Sequence, residues 1–291
     1  MKLWVYILIL LLAVACEREV PSDTLEFTKK LVVNAKIRAD STFKIQLSSN
    51  VATLTSTQNT YLTGTAYILL KKDNQLILNQ DVDFEKGSLE LPYLCQAGDV
   101  FEMQLTYADY PTIYARDSVP SYQPEMRIDT LKKGPTDYSV YMTLTDGPKD
   151  EKYMLRLHSR GKEWNGADSV QVVKDLMFSS NDKLFFSNIR TAAQQNSFAL
   201  LDDAILFNQQ TQFSLNFDID SLFQDRYSPE ELLVEISTVS VSMYDFYVNV
   251  LENTYVYGSP LSNVSADYGN VQNGFGIFGF QNAVTITYEI K

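Results

Sequence analysis

The sequence predicts an all-β, mainly antiparallel chain built as two successive sandwich-like domains. Three observations carry that prediction. Apolar and polar residues alternate with period two in run after run, the signature of strands with one buried face. Tyr and Phe are abundant, at 18 and 16 of 291 residues, and aromatic side chains favour the pleated, half-buried surface of a sheet. One segment alone switches to helical spacing, so helices are limited to one or two short ones.

The first domain is read from residue 30. Leu31, Val33, Ala35 and Ile37 alternate with Val32, Asn34, Lys36 and Arg38. Phe43, Ile45 and Leu47 repeat the pattern, as do Phe101, Met103, Leu105 and Tyr107. Asp73-Asn74 separates apolar runs at 66–71 and 76–79, and these two residue types tolerate the positive φ of a two-residue hairpin turn. Roughly six or seven short strands fit between residues 30 and 118, the count of an immunoglobulin-like sandwich, without the Cys pair or core Trp of antibody domains. Pro120 and Pro124 cannot donate to a ladder. The N-terminal Ig-like sandwich is therefore set at 30–120 and the second β-sandwich-like domain at 121–291.

Tyr138, Val140, Met142 and Leu144 open the second domain, followed by Tyr153, Leu155 and Leu157. Further strands are predicted at 170–173, 184–186, 213–219, 232–236 and 284–290. Val241, Tyr244, Val248 and Leu251 predict one face of a short helix covering a sheet end. Residues 161–168, with Trp164-Asn165-Gly166 at their centre, and 183–195 read as exposed loops. In Gly274-Phe275-Gly276-Ile277-Phe278-Gly279, three Gly interleave with apolar anchors. That pattern predicts a close backbone approach and a bend that packs the last strand.

Several chemistries are excluded. A net charge of −12 opposes binding to nucleic acid and electrostatic adhesion to anionic lipid. His158 is the single histidine, which leaves no His-based triad and no multi-His metal site. It ends an alternating strand and reads as structural or solvent-facing. Nucleophile elbows and Walker loops are absent, and the Gly-rich run lacks the βαβ context of a dinucleotide site. Asp81/Asp83, Asp218/Asp220 and Asp202/Asp203 have the chemistry of hydrolytic or calcium-binding carboxylates. Solvated strand faces and turn caps account for them more simply. The chain is expected to be non-catalytic, with no cofactor and no metal. Cys95, in the apolar stretch 91–95, reads as a buried, inert thiol. Trp164, Tyr107, Tyr110 and Tyr114 have the chemistry of a stacking platform for sugars or peptides, although strand aromatics usually fill cores or cross-strand pairs. Trp164, whose neighbours are polar, is the candidate ligand or partner loop.

The N-terminus carries the strongest single signal. Met1-Lys2 is followed by an apolar run from Leu3 to Leu12, then Ala13-Val14-Ala15 and Cys16. The run is too short for a membrane span and reads as a signal peptide over 1–15. A Cys directly after the small residues resembles a bacterial lipobox, which implies lipidation of Cys16. The alternative is a plain signal peptide with an incidental Cys. Residues 16–29 then form the lipidated N-terminus and tether. Glu17, Arg18 and Glu19 resemble the signal that exports Bacteroidota lipoproteins to the cell surface. Asp-Ser/Thr-aliphatic triplets place Thr24, Ser118, Thr130, Ser169 and Ser221 in a context that resembles the O-glycosylation sequon of exported Bacteroidota proteins, and turn preference also produces such triplets.

A wider resemblance rests on several segments together. They include 31–37, Gly98-Asp99-Val100-Phe101, Asp117-Ser118-Val119-Pro120, 203–207 and Met243-Tyr244-Asp245-Phe246-Tyr247. Pro260-Leu261-Ser262-Asn263-Val264 and the Gly-rich run at 274–279 complete the set. This set is similar to the DUF4249 family of Bacteroidota outer-membrane lipoproteins. The resemblance implies a lipid-anchored protein on the outer membrane, facing the cell exterior. It further implies a non-catalytic binding or accessory subunit of a TonB-dependent transporter in nutrient uptake. A structural subunit of an outer-membrane assembly or adhesion complex is the alternative.

Overall fold

A computed structural model describes residues 29–50, 60–134, 137–164, 166, 168–185, 197–202, 206, 209–218, 226–254 and 269–290. The first eight strands are β1 (Leu31–Arg38), β2 (Thr42–Ser49), β3 (Thr60–Tyr61), β4 (Gly64–Lys72), β5 (Gln75–Phe84), β6 (Ser88–Leu94), β7 (Val100–Thr106) and β8 (Ile113–Ser118). After the prolines come β9 (Glu125–Lys133), β10 (Tyr138–Thr145), β11 (Lys152–Trp164), β12 (Ser169–Leu176), β13 (Phe178–Ser179), β14 (Ala199–Asp202), β15 (Gln210–Phe217) and β16 (Tyr227–Val239). Helix α1 (Val241–Thr254) and strand β17 (Phe275–Glu289) complete the described elements. The fold is all-β and mainly antiparallel, as the alternation predicts. The turn at Asp73-Asn74 takes φ of 50° and 64° at its two residues, as its composition requires.

One sheet runs through both halves of the chain. Its order is β12-β11-β16-β17-β1-β2-β3, with β14 also on β11 and β6 also on β2. Two four-stranded sheets, β5-β4-β7-β8 and β13-β15-β10-β9, cover it. Side-chain parity puts both on the same face. Along β17, Phe278 and Phe280 enter the core formed with β1, β2, β4 and β7, while Val284 and Tyr288 pack on the core formed with β10, β11, β15 and β16. All four numbers are even, and alternate residues of a strand share a face. On the opposite face, Met243, Tyr244 and Tyr247 of α1 pack on Met154, Leu200 and Val239.

β17 belongs to both sandwiches. Its first half pairs parallel with β1, from Val32 opposite Phe275 to Arg38 opposite Gln281. Its second half pairs antiparallel with β16 on the other edge, from Val239 opposite Gln281 to Glu231 opposite Glu289. Each half thus leaves one edge without a neighbouring strand, and side chains occupy it. Asn270 donates Nδ2–H to Phe278 O at 2.7 Å, and its Oδ1 accepts the Phe278 N–H at 3.0 Å. Ser240 N–H donates to Phe280 O at 2.9 Å, and its Oγ accepts the Phe280 N–H at 3.3 Å. On the other edge, Arg38 Nη2 and Gln123 Nε2 both donate to Ala283 O, at 3.0 and 3.4 Å. Buried backbone groups without such partners would cost ~1–3 kcal/mol each.

The segment between β8 and β9 is a fixed strap across the shared sheet. Val119 is buried in the first core. Thr238 Oγ1 donates to Tyr122 O at 2.6 Å, and Asn282 Nδ2 donates to Pro120 O at 3.2 Å. These two polar side chains stand on the core face of the sheet, at the seam between the two apolar clusters. The boundary drawn at 120/121 falls within this strap, and β17 crosses it to lie beside β1.

Several details differ from the sequence expectation. The buried face of α1 is Met243, Tyr244 and Tyr247, whereas Val241, expected inside, is 62% exposed. Ser240 caps the helix, with Tyr244 N–H donating to its carbonyl and Met243 N–H to its Oγ. That anchoring turns Val241 outward. Residues 161–164 continue β11, so the connection to β12 is confined to 165–168. Phe185 makes a single bridge to Leu201 where a strand was expected. β9 was not expected: it lies at a sheet edge and its register shifts opposite Tyr141/Met142, which breaks the alternation. The Gly-rich run lies inside β17 from Phe275 onward, with Gly274 at the bend just before it. The close approach it predicts is present. At Gly276 φ is +97°, and a Cβ would lie 1.9 Å from Val33 O.

Gly276→Ala is expected to destabilise the protein by more than ~3 kcal/mol, because it adds a backbone clash to the left-handed strain. Gly98→Ala, at φ +89° with no atom within 4 Å of the new Cβ, should cost only ~1–2 kcal/mol. Urea midpoints compare the two; equal losses would show that the β1–β17 contact relaxes freely.

Candidate binding surfaces

The structure separates the aromatic residues singled out in the sequence. Tyr107 and Tyr110 pack against each other with ring centroids 6.0 Å apart, and Tyr107 OH donates to Thr63 O at 2.8 Å. Tyr114 faces outward from β8 and is 43% exposed. Trp164 stands at the end of β11, where its backbone N–H donates to Arg226 O at 2.8 Å. The four do not form one platform.

Trp164 is 52% exposed, and Val170 and Val173 on β12 are also exposed. β12 lies at the end of the shared sheet. Trp164, opposite Ser169, shares its face with Val173, whereas Val170, opposite Glu163, points to the other face. The position of Trp164 relative to β1 follows from the pairing. β1 starts level with the beginning of β17, and Glu289 at the end of β17 lies opposite Glu231. Tyr227, opposite Glu163, lies further along in the same direction. At ~3.3 Å per strand residue, Trp164 is roughly 50–60 Å along the sheet from Leu31. The first described strand and the Trp164 edge therefore mark opposite poles.

Between the poles, a cleft of about 410 Å³ opens at the strap, lined by Ser118, Pro120, Tyr122, Glu151, Thr238 and Ser240 among others. Asp117 lies beside it at the end of β8. Ser240 Oγ donates to Asp117 Oδ2, and Ser118 N–H donates to Asp117 Oδ1 at 2.9 Å. Burial pushes the Asp117 carboxyl up to about 6, against the pull of these two hydrogen bonds. Burial raises Glu151 as well. On the far side of the strap, Tyr153 OH donates to Asp146 Oδ1 at 2.9 Å and accepts the Gly147 N–H at 2.9 Å, which holds the β10–β11 turn. Burial raises the Tyr153 hydroxyl too.

The outer face of the shared sheet carries charge pairs. Glu235, with its side chain only 13% exposed, takes Arg38 Nη1 at 3.1 Å and Arg156 Nη1 at 3.7 Å. Arg156 Nη2 also donates to Tyr247 OH at 3.0 Å. One carboxylate thus ties β1, β11 and α1 to β16. Further out, Arg160 pairs with Glu231 and Lys162 Nζ with Glu230 at 2.7 Å. His158 Nδ1 lies 2.7 Å from Asp175 Oδ1, with the Asp175 side chain facing solvent.

Other sequence candidates are distributed as follows. Ser118 and Ser169 are exposed, while Thr130 is half-buried in β9. Asp81 and Asp83 face solvent from β5, with Thr65 Oγ1 donating to Asp83 at 2.6 Å. Cys95 is buried, free and pushed up to about 12 by desolvation, as expected of an inert thiol. Cys16, Glu17, Arg18, Glu19, Thr24, Ser221, Asp203 and Asp220 lie outside the described residues, as does the Pro260-Leu261-Ser262-Asn263-Val264 segment. Among the described residues, no group of three or more His, Cys, Asp or Glu is placed to hold a metal ion. No described helix is long and apolar enough to cross a membrane. The strap, Ser240 and Asn270 escape pattern reading; their signal is polar residues interrupting apolar alternation.

Asp117→Asn tests the strap electrostatics. The folded carboxyl holds its proton above the ordinary value of 3.8. Its contribution to stability is therefore full below pH ~4 and lost as pH rises through about 6. The Asn variant should be more stable than the parent by ~1–2 kcal/mol at pH 7.5 and equal to it at pH 3.5. Equal denaturation midpoints at pH 7.5 would show that this carboxyl titrates normally.

Among curated proteins, no sequence match is found. The family described as Domain of unknown function (DUF4249) matches residues 17–287, which takes in both sandwiches, the strap and nearly all of the shared strand. The chain belongs to the DUF4249 family.

Proposed function

We propose that this protein is a lipid-anchored outer-membrane subunit, facing the cell exterior, that serves a TonB-dependent transporter as a non-catalytic binding or accessory partner in nutrient uptake. The observation that carries the reading is the short distance in sequence between Cys16 and β1. An extended chain spans at most ~3.3–3.6 Å per residue, so residues 17–30 hold the folded body within roughly 50 Å of an acylated Cys16. The start of β1 is then the pole nearer the membrane, and the Trp164 edge is the pole that meets a partner. Trp164 and Val173 provide apolar contact area on one face of the sheet, and an exposed aromatic anchor is the usual centre of such a contact. A net charge of −12 keeps the body off anionic headgroups and leaves attachment to the acyl chains.

Fractionation and capture test this reading. The parent protein should sediment with outer membranes, and Cys16→Ala should release it. Tagged protein solubilised in detergent should recover a TonB-dependent barrel, and Trp164→Ala should reduce that recovery several-fold without changing the unfolding midpoint. Recovery of an assembly or adhesion complex without a transporter would overturn the proposal in favour of a structural subunit.

A further inference from the structure

The outer face of the β5-β4-β7-β8 sheet carries a second surface, distant from the Trp164 edge. Its inward residues, among them Ile68, Leu70, Met103 and Leu105, fill the first core. Its outward residues form rows across the strands. Asn79, Leu69, Gln104 and Tyr114 stand opposite one another in one row. Lys71, Glu102 and Arg116 form the next. Tyr67, in the row on the other side, is 37% exposed and donates its hydroxyl hydrogen to Asn79 Oδ1. Tyr114 is held by two backbone bonds to Gln272, at 3.2 and 2.8 Å. A shallow cleft of about 280 Å³ opens here, lined by Leu69, Lys71, Gln104, Tyr114, Arg116 and Gln272 among others.

We infer that this cleft binds an acidic oligosaccharide, one whose sugar units carry carboxylates. The Tyr114 ring offers a small apolar area suited to the C–H face of a pyranose, with Gln104 between it and Leu69 in the row. Around it stand amide groups of Gln104 and Gln272, which pair with vicinal hydroxyls as both donors and acceptors. No deep apolar pocket for a peptide side chain accompanies them. The neighbouring row selects charge. Glu102 is shared by Arg116 Nε at 3.4 Å and Lys71 Nζ at 4.0 Å, so two cations stand against one carboxylate on a protein of net charge −12. Two residues along a strand cover ~6.5–7 Å, which brings the carboxylate of a sugar stacked on Tyr114, or of its neighbour, within reach of Lys71 and Arg116. The site needs neither the lipid anchor nor a transporter.

Calorimetric titration of the detergent-solubilised full chain with oligogalacturonate tests the inference. Saturable binding is expected, at least tenfold tighter than to an uncharged galactose oligomer or to a polyglutamate peptide of equal charge. Tyr114→Ala and Arg116→Ala should each weaken it at least tenfold with unchanged unfolding midpoints, and Trp164→Ala should leave it unaltered. Absence of binding overturns the inference. So does equal affinity for the neutral oligomer or the peptide, or indifference to both substitutions.

Discussion

The backbone contact between β1 and the first half of β17 is the constraint on which the rest depends. It brings the first and last described strands together, and at Gly276 it leaves no room for a side chain against Val33 O. Because β17 continues for fifteen residues, the same strand that completes the first sandwich goes on to pair with β16 in the second. A single long sheet follows, and with it a rigid axis through the molecule. The polar residues that look misplaced in an apolar alternation follow as well. Ser240 and Asn270 satisfy backbone groups of β17 that the change of partner at Gln281 would otherwise leave bare, while Asn282 and Thr238 donate to the strap carbonyls of Pro120 and Tyr122.

The seam between the sandwiches is the most polar part of the interior. Ser240 alone caps α1, accepts from β17 and donates to Asp117. The strap lies over one face of the seam, while the Arg38–Glu235–Arg156 cluster joins the strands on the other. Buried polar networks of this kind specify one arrangement more than they add stability. Here the arrangement specified joins the strap, α1 and the shared sheet at the seam. The two proposed contact surfaces are built on rigid strands for the same reason, and a surface on strands holds its geometry better than one on loops.

How much of this was legible in the sequence follows the range of the interactions. Period-two alternation is local, so β1, β2, β7 and β10 could be read directly, as could the hairpin at Asp73-Asn74. The helix was legible as an element, but its buried face was set by the Ser240 cap and by packing on Met154, which spacing alone does not encode. β9 was hidden because an edge strand with a shifted register loses the alternation. The Gly-rich run announced a close approach without naming what approaches, since its partner Val33 lies at the other end of the chain. For the binding surfaces, Tyr114 and Trp164 were visible as residues. Their separation to different sheets, and the row of Lys71, Glu102 and Arg116 beside Tyr114, depend on strand register and appear only in three dimensions.

The pairing of β1 with β17 also governs when this molecule can become itself. Synthesis delivers β1 well before β17, so the first sandwich lacks Phe278 and Phe280 until β17 has been made. Contacts so distant in sequence close slowly, and until they close β1 presents an open strand edge, a template for pairing with other chains. The pairing thus delays local completion of the first sandwich until residues 275–281 are made. It also makes truncation self-revealing, because a chain that stops short of Phe275 cannot cover its own first strand.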